Sequence, residues 1–157
     1  MKVLRWFNRQ KIRPVPAARW RPLAKCLVEE IRGHSSYELG VHLIGAREMT
    51  RLNETFLHHA GSTDVITFNH QAEGGAGLHG EIFISMDDAV AQAGEFGTSW
   101  PLEIIRYLAH GVLHLEGYDD LESAARRRMK RQENKLVKEL SGRFPLGKLR
   151  RANNERR

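Results

Sequence analysis

Apolar residues recur along this chain at two spacings, and the two spacings separate helices from strands. An apolar residue every three or four positions predicts a helix, and a short β-branched or aromatic run between turn residues predicts a strand. The helical pattern is found in residues 17–32, 46–56, 86–96, 99–117 and 121–140. The strand pattern is found in residues 38–45, 63–68 and 81–85, with a further candidate at residues 3–8. The glycine-rich residues 72–80 predict a flexible turn.

This order of elements predicts an α+β fold, with a small mixed β-sheet of three to four strands packed against several helices. Strands and helices do not alternate as they would in a doubly wound fold. We expect residues 1–142 to form a single domain, because no linker or internal repeat interrupts them. Residues 143–157 are rich in lysine and arginine and are expected to be a basic, disordered tail.

Charge is divided sharply along the chain, whose formal net charge is +6. Residues 1–25 hold eight basic and no acidic side chains, and residues 121–157 hold thirteen basic and four acidic ones. The stretch between them, residues 26–120, holds four basic and fifteen acidic side chains. Basic ends suit a polyanionic partner such as RNA. A solvated helix face followed by a frayed tail would give the same counts, so charge leaves both interpretations open.

Length and composition exclude several classes of protein. A chain of 157 residues with 41% hydrophobic residues can fill a core without disulfides or a structural metal. Its one cysteine, Cys26, excludes an internal disulfide and a cysteine-rich zinc finger. No apolar run approaches the ~18 residues of a spanning helix, and the N-terminus lacks the pattern of a signal peptide. The sequence therefore predicts a soluble protein of a reducing compartment, with no membrane association.

Candidate chemistry is concentrated in the segment HGVLHLEGYDD, which begins at His110 and ends at Asp120. His110 and His114 are four residues apart on a predicted helix, so both lie on one face and suit two ligands of one ion. Gly117 allows the chain to turn, so that Asp120 can return as a third ligand. Two imidazoles and a carboxylate leave one position open, as in a catalytic zinc site. An aspartate here could instead cap the next helix.

Gly111 separates this motif from that of the H-E-x-x-H zinc peptidases. Those enzymes place their general-base glutamate directly after the first histidine, where this chain has no side chain. The pattern H-x-x-x-H-x-x-G-x-x-D nevertheless has the ligand spacing of the metzincins. A peptidase is disfavoured, and a zinc hydrolase of another substrate class stays open as an alternative.

Three blocks of the sequence resemble the bacterial rRNA maturation RNase YbeY family. HGVLHLEGYDD resembles the family signature H-G-x-L-H-L-x-G-Y-D-H, LNETFLHHAGSTDVITF resembles its L-N-x-x-(Y/F)-R…T-D-V-L-S-F block, and GEIFIS resembles its G-D/E-I-x-I-S strand. The resemblance implies an α+β metalloprotein in which His110 and His114 bind one zinc ion. It further implies a zinc-dependent, single-strand-specific endoribonuclease of the cytoplasm. Such an enzyme would mature the 3′ end of small-subunit rRNA and act in ribosome quality control, with the small subunit and its assembly proteins as partners.

Two positions depart from the family pattern. Asp120 stands where the family usually has a histidine ligand, and an anionic ligand should lower the Lewis acidity of the ion. Leu57 stands where the family usually has an arginine that assists at the RNA phosphate; His58, His59 or Arg51 would have to substitute. The second departure keeps an alternative open, a non-catalytic rRNA-binding assembly factor with a structural metal. The sequence assigns no residue to catalysis or to RNA contact.

Overall fold

Four strands form one mixed sheet in the computed structural model, which describes residues 1–72 and 75–152. The strands are β1 (Lys2–Asn8), β2 (Tyr37–Ile44), β3 (Val65–Asn69) and β4 (Leu78–Ser85). Their order across the sheet is β1-β2-β4-β3. β1, β2 and β4 run parallel, and β3 pairs antiparallel with β4 at one edge. The predicted α+β class and small mixed sheet are confirmed.

Six α-helices accompany the sheet within the described residues. They are α1 (Ala17–Lys25), α2 (Ala46–Phe56), α3 (Met86–Phe96), α4 (Trp100–Leu115), α5 (Ser123–Arg143) and α6 (Leu146–Leu149). Predicted and observed bounds agree for α2 and α3, and the Ser85 side chain caps α3 by accepting from the Asp88 amide. None of these described helices is both long and apolar enough to cross a bilayer.

The first helix and the last strand differ from their predicted bounds. The helix expected over residues 17–32 becomes a π-helical segment, Cys26–Ile31, after α1 ends. β4 begins at Leu78, inside the stretch expected to be a flexible turn, because Leu78 is buried and pairs in register with β2. Gly80 also belongs to this strand. A Cβ there would lie 2.5 Å from the carbonyl oxygen of Phe68, so the glycine reflects close packing rather than a turn.

The end of the chain is more ordered than its composition indicates. α6 packs Leu149 into the core at 3% exposure, and the Trp20 indole donates a hydrogen bond to the Leu149 carbonyl at 3.1 Å. Residues 143–149 therefore differ from the expected disordered tail, since they end α5, form α6 and pack against the core. The last five residues lie outside the described part of the chain. Apolar side chains spaced among the lysines and arginines account for the difference, because each reaches the core.

α4 carries the site, and the sheet fixes its position. Its residues Ile104, Leu108 and Val112 are fully or almost fully buried in the main core, whose sheet face includes Ile82 and Ile84. α2 covers the opposite face of the sheet through a smaller apolar cluster. Gly111 lets α4 approach the central strand β4, since a Cβ at Gly111 would lie only 2.8 Å from two side-chain carbons of Ile82.

Replacing Gly111 with alanine is expected to destabilise the fold by about 1–3 kcal/mol, the usual cost of overpacking a core. Urea unfolding measures the change. Gly94→Ala on α3 is the matched control: its Cβ meets nothing within 4 Å, so the higher helix propensity of alanine should stabilise the protein slightly. Equal free energies of unfolding for the two variants would contradict this account of the α4–β4 contact.

Candidate metal centre

The last two turns of α4 and the loop after it bring three predicted ligands together. His110 and His114 lie one turn apart, with ring centroids 4.5 Å apart and side chains 24% and 27% exposed. Gly117 has a φ of +104°, which lets the chain reverse direction where most residues would be strained. The reversal returns Asp120 to the histidines. One donor atom from each of the three residues lies within 4.8 Å of the other two.

Each histidine is held by a hydrogen bond at Nδ1. The Nδ1 of His110 lies 2.8 Å from Oε1 of Glu133, and the Nδ1 of His114 lies 3.1 Å from the carbonyl oxygen of Tyr118. An ionised carboxylate and a carbonyl oxygen only accept, so both Nδ1 atoms carry the proton. In the neutral rings the lone pair is then on Nε2. Metal-binding histidines usually have this arrangement, because the second hydrogen bond fixes the ring and its tautomer.

Glu133 of α5 is a member of the site that the sequence did not identify. Its side chain is only 5% exposed and contacts His110, Arg106 and Lys130. Burial raises its pKa, but the hydrogen bonds from His110 and Arg106, together with Lys130, outweigh burial and lower the pKa to about 2. Glu133 therefore stays ionised. The sequence did contain one sign of this role: Glu133 is an acidic residue on the apolar stripe of α5, one turn after Met129, and both are buried.

The electrostatics of His114 also favour a ligand. Its burial and the neighbouring His110 lower its pKa, and Asp120 only partly offsets them. The neutral ring is the form that can bind a metal. His114 thus keeps an available Nε2 at neutral pH.

Asp120 is the most exposed of the three, with a side chain 44% exposed. Its Oδ2 lies 3.9 Å from Nε2 of His114, which is too far for a hydrogen bond. Two ligand atoms on one tetrahedral zinc ion lie about 3.3 Å apart, so this separation is close to the one that a shared ion requires. The alternative capping role does not apply, because Glu122 is the N-cap of α5. Asp119 instead stabilises the turn by accepting from the Leu121 amide. The Asp120 carboxylate is left facing the histidines.

Two cavities lie beside His110. One, of about 410 Å³, is lined by His110, Asp120, Arg126, Arg127, Met129, Lys130 and Glu133. The other, of about 190 Å³, is lined by Asp64, Val65, Gln92, Arg106, Tyr107, His110, Lys130 and Glu133. A substrate in either cavity therefore has access to His110, and most of the side chains around it are polar or charged.

Leu57 and its neighbours are absent from the described lining of both cavities. Leu57 follows the last turn of α2 and is 41% exposed. His58 and His59 are exposed on the loop after it, where His58 has a φ of +58°. Neither these histidines nor Arg51 is among the residues that line the two cavities beside His110.

The fold and the group of His110, His114 and Asp120 define a class of protein. Its members are α+β proteins with three side chains that could hold a metal ion in a site open on one side. Comparison with known proteins makes the class specific. The family model described as Endoribonuclease YbeY matches residues 5–141. The chain belongs to the Endoribonuclease YbeY family.

Individual relatives agree over most of their length. The Endoribonuclease YbeY of Aquifex aeolicus is 32% identical over 89% of this chain and 92% of its own. That of Geobacter metallireducens is 35% identical over 82% and 89%, and that of Salinibacter ruber is 34% identical over 70% and 74%. A Thermotoga maritima protein with a solved solution structure matches at a TM-score of 0.68 and 25% identity, covering 99% of this chain and all of its own.

Proposed function

We propose that this chain is a zinc-dependent endoribonuclease that cleaves single-stranded RNA at the His110–His114–Asp120 group. The observation that carries the proposal is a pair of histidines whose Nδ1 atoms are already hydrogen-bonded, grouped with Asp120 so that one donor atom of each residue lies within 4.8 Å of the other two. The printed name of the family and of its relatives supports RNA as the substrate. The assignment of the three ligands is itself part of the proposal.

The residues present fit zinc by the chemistry of their donors. Two neutral imidazoles and one carboxylate make a typical three-ligand set for catalytic zinc, with a fourth position open to solvent or substrate. One ion per chain would polarise the scissile phosphoryl group and lower the pKa of water. Around it, Glu133 holds His110 in place, the Tyr118 carbonyl holds His114, and Asp120 supplies the anionic ligand.

The biological role follows from the resemblance to the family. We propose that the substrate is precursor rRNA, that cleavage matures the 3′ end of small-subunit rRNA, and that the enzyme also takes part in ribosome quality control. The small ribosomal subunit and its assembly proteins would then be the partners, in the cytoplasm. The concentration of basic residues near both ends of the chain supports binding to a polyanion.

Cleavage of a precursor fragment that spans the 3′ end of small-subunit rRNA tests this function. The zinc-loaded protein should cut the single-stranded fragment and leave it intact once a complementary strand is annealed. Analysis of the product ends then identifies the attacking group, since a 2′,3′-cyclic phosphate requires the RNA 2′-hydroxyl. Equal cutting of single-stranded and duplex RNA would contradict single-strand specificity.

A second candidate function is a non-catalytic assembly factor with a structural metal. Leu57 favours it, because leucine cannot stabilise charge on a phosphate. This function predicts binding to the same precursor fragment without cleavage, whatever metal is supplied. A zinc hydrolase of another substrate class is less favoured, because Gly111 packs against Ile82 and has no side chain to act as a base.

Replacing Asp120 with histidine is expected to restore the usual ligand set of the family and shift the pH–rate profile of cleavage to lower pH. A neutral imidazole neutralises less of the positive charge of the ion than a carboxylate does, so the ion stays a stronger Lewis acid. Initial rates of RNA cleavage from pH 5 to 9 provide the measurement. Asp119→His is the matched control, because Asp119 bonds the Leu121 amide. An unmoved profile for Asp120→His would argue against Asp120 as a ligand.

A further inference from the structure

Three cations of α5 share a cavity with the candidate metal centre. Arg126, Arg127 and Lys130 line the same space of about 410 Å³ as His110 and Asp120. Lys130 is four residues after Arg126 and three after Arg127, so its side chain is next to both on the helix surface. We call these three residues the basic row. All three are exposed to solvent, so their charged groups are available to a ligand.

The contacts of the basic row leave much of its hydrogen-bonding capacity unused. Arg126 donates from Nε to the backbone carbonyl of Asp120 at 3.3 Å, which places its guanidinium beside a candidate ligand. Lys130 contacts Glu133 at 3.1 Å with a side chain 61% exposed. Arg127 has no hydrogen bond or ion pair to any residue in the described parts of the chain. Arginine has five donors in a planar fork that suits phosphate oxygens.

Charge at this end of the site is positive without any metal. The basic row supplies three cations to the cavity of about 410 Å³, whereas Asp120 and Glu133 supply two acidic groups. Glu133 is already shared among His110, Arg106 and Lys130. An anion would therefore be attracted into the cavity.

We propose that the basic row binds the backbone phosphates of the RNA strand that reaches the candidate metal centre. It would supply from α5 the positive charge that the chain lacks at Leu57. The inference rests on the proposed function for the identity of the polyanion. An RNA strand is favoured over an acidic protein, because the three cations line the same cavity as His110 and Asp120 rather than a separate surface.

Comparing RNA binding by Arg127→Ala and Arg131→Ala tests this proposal most sharply. Both residues are exposed arginines of α5, but only Arg127 lines the cavity. Binding of a short fluorescein-labelled single-stranded RNA to the zinc-loaded protein is measured by anisotropy over a range of salt, under conditions in which a gel shows the RNA intact. Arg127→Ala should reduce the slope of log K against log salt by about 0.7, the share of one phosphate contact on a single strand.

The same loss corresponds to affinity about fivefold weaker at 0.1 M salt than for wild type. Arg127→Lys keeps the charge and should keep most of the slope, whereas Arg131→Ala should match wild type. Equal slopes for Arg127→Ala and Arg131→Ala, or no binding by wild type, would overturn the inference. Cleavage is measured separately. If the wild-type protein binds RNA with the expected slopes but never cuts it, the role of the basic row in RNA binding is supported and the proposed nuclease activity is contradicted.

Discussion

His114→Ala is expected to lose zinc and RNA cleavage together, with the cleavage rate falling by about 10³-fold or more. The ion is expected to contribute several kcal/mol of transition-state stabilisation, and each 1.4 kcal/mol is about tenfold in rate. Removing one of the three proposed ligands leaves too few to hold the ion. Metal content is measured by atomic emission, and cleavage is measured on the precursor rRNA fragment.

The fold should survive this substitution, because His114 is partly exposed and its ring is not part of the apolar core. His79→Ala is the matched control, since His79 is a half-exposed histidine of β4 that lines neither cavity beside His110. It should keep both zinc and activity. Retention of cleavage by His114→Ala at a rate near wild type would remove this histidine from the reaction.

Glu133→Gln is expected to weaken zinc affinity by about 10–100-fold, the usual effect of losing the group that orients a metal-binding histidine. Glutamine keeps the shape of the side chain but removes the charge that makes the His110 imidazole a better donor to a metal. It also leaves Arg106 and Lys130 without their shared carboxylate. Competition with a fluorescent zinc chelator provides the affinity.

Glu139→Gln on the same helix is the control for the loss of a negative charge. Glu139 pairs with Arg143, and its side chain is 43% exposed, so its replacement should leave zinc affinity unchanged. Rescue by Glu133→Asp would show that the carboxylate matters rather than the volume. Equal zinc affinity for Glu133→Gln and Glu139→Gln would show that Glu133 has only a structural role.

The grouping of His110, His114 and Asp120 was predictable from the sequence because the three residues are close in the chain. A helix fixes the relation between His110 and His114, and Gly117 fixes the turn to Asp120. Glu133 was not predictable in the same way, since it is 23 residues from His110 and reaches it only through the packing of α5 on α4. The basic row depends on the same packing.

Local patterns misplaced the parts of the fold in which tertiary contacts decide the backbone. The π-helical segment Cys26–Ile31 has the same apolar stripe as a regular helix, so hydrophobic spacing could not distinguish them. Residues 143–152 have the composition of a tail, yet Leu149 and the Trp20 indole bind them to the core. Gly80 was interpreted as part of a turn, although close packing explains it.

Titration of chelator-stripped protein with zinc tests the central claim most directly, that one metal ion on His110, His114 and Asp120 is required for RNA cleavage. The rate on the precursor rRNA fragment is measured after each addition. The stripped protein should be inactive, and the rate should rise linearly and level off at one zinc per chain. Stripped protein that cleaves as fast as the zinc-loaded protein would contradict the claim.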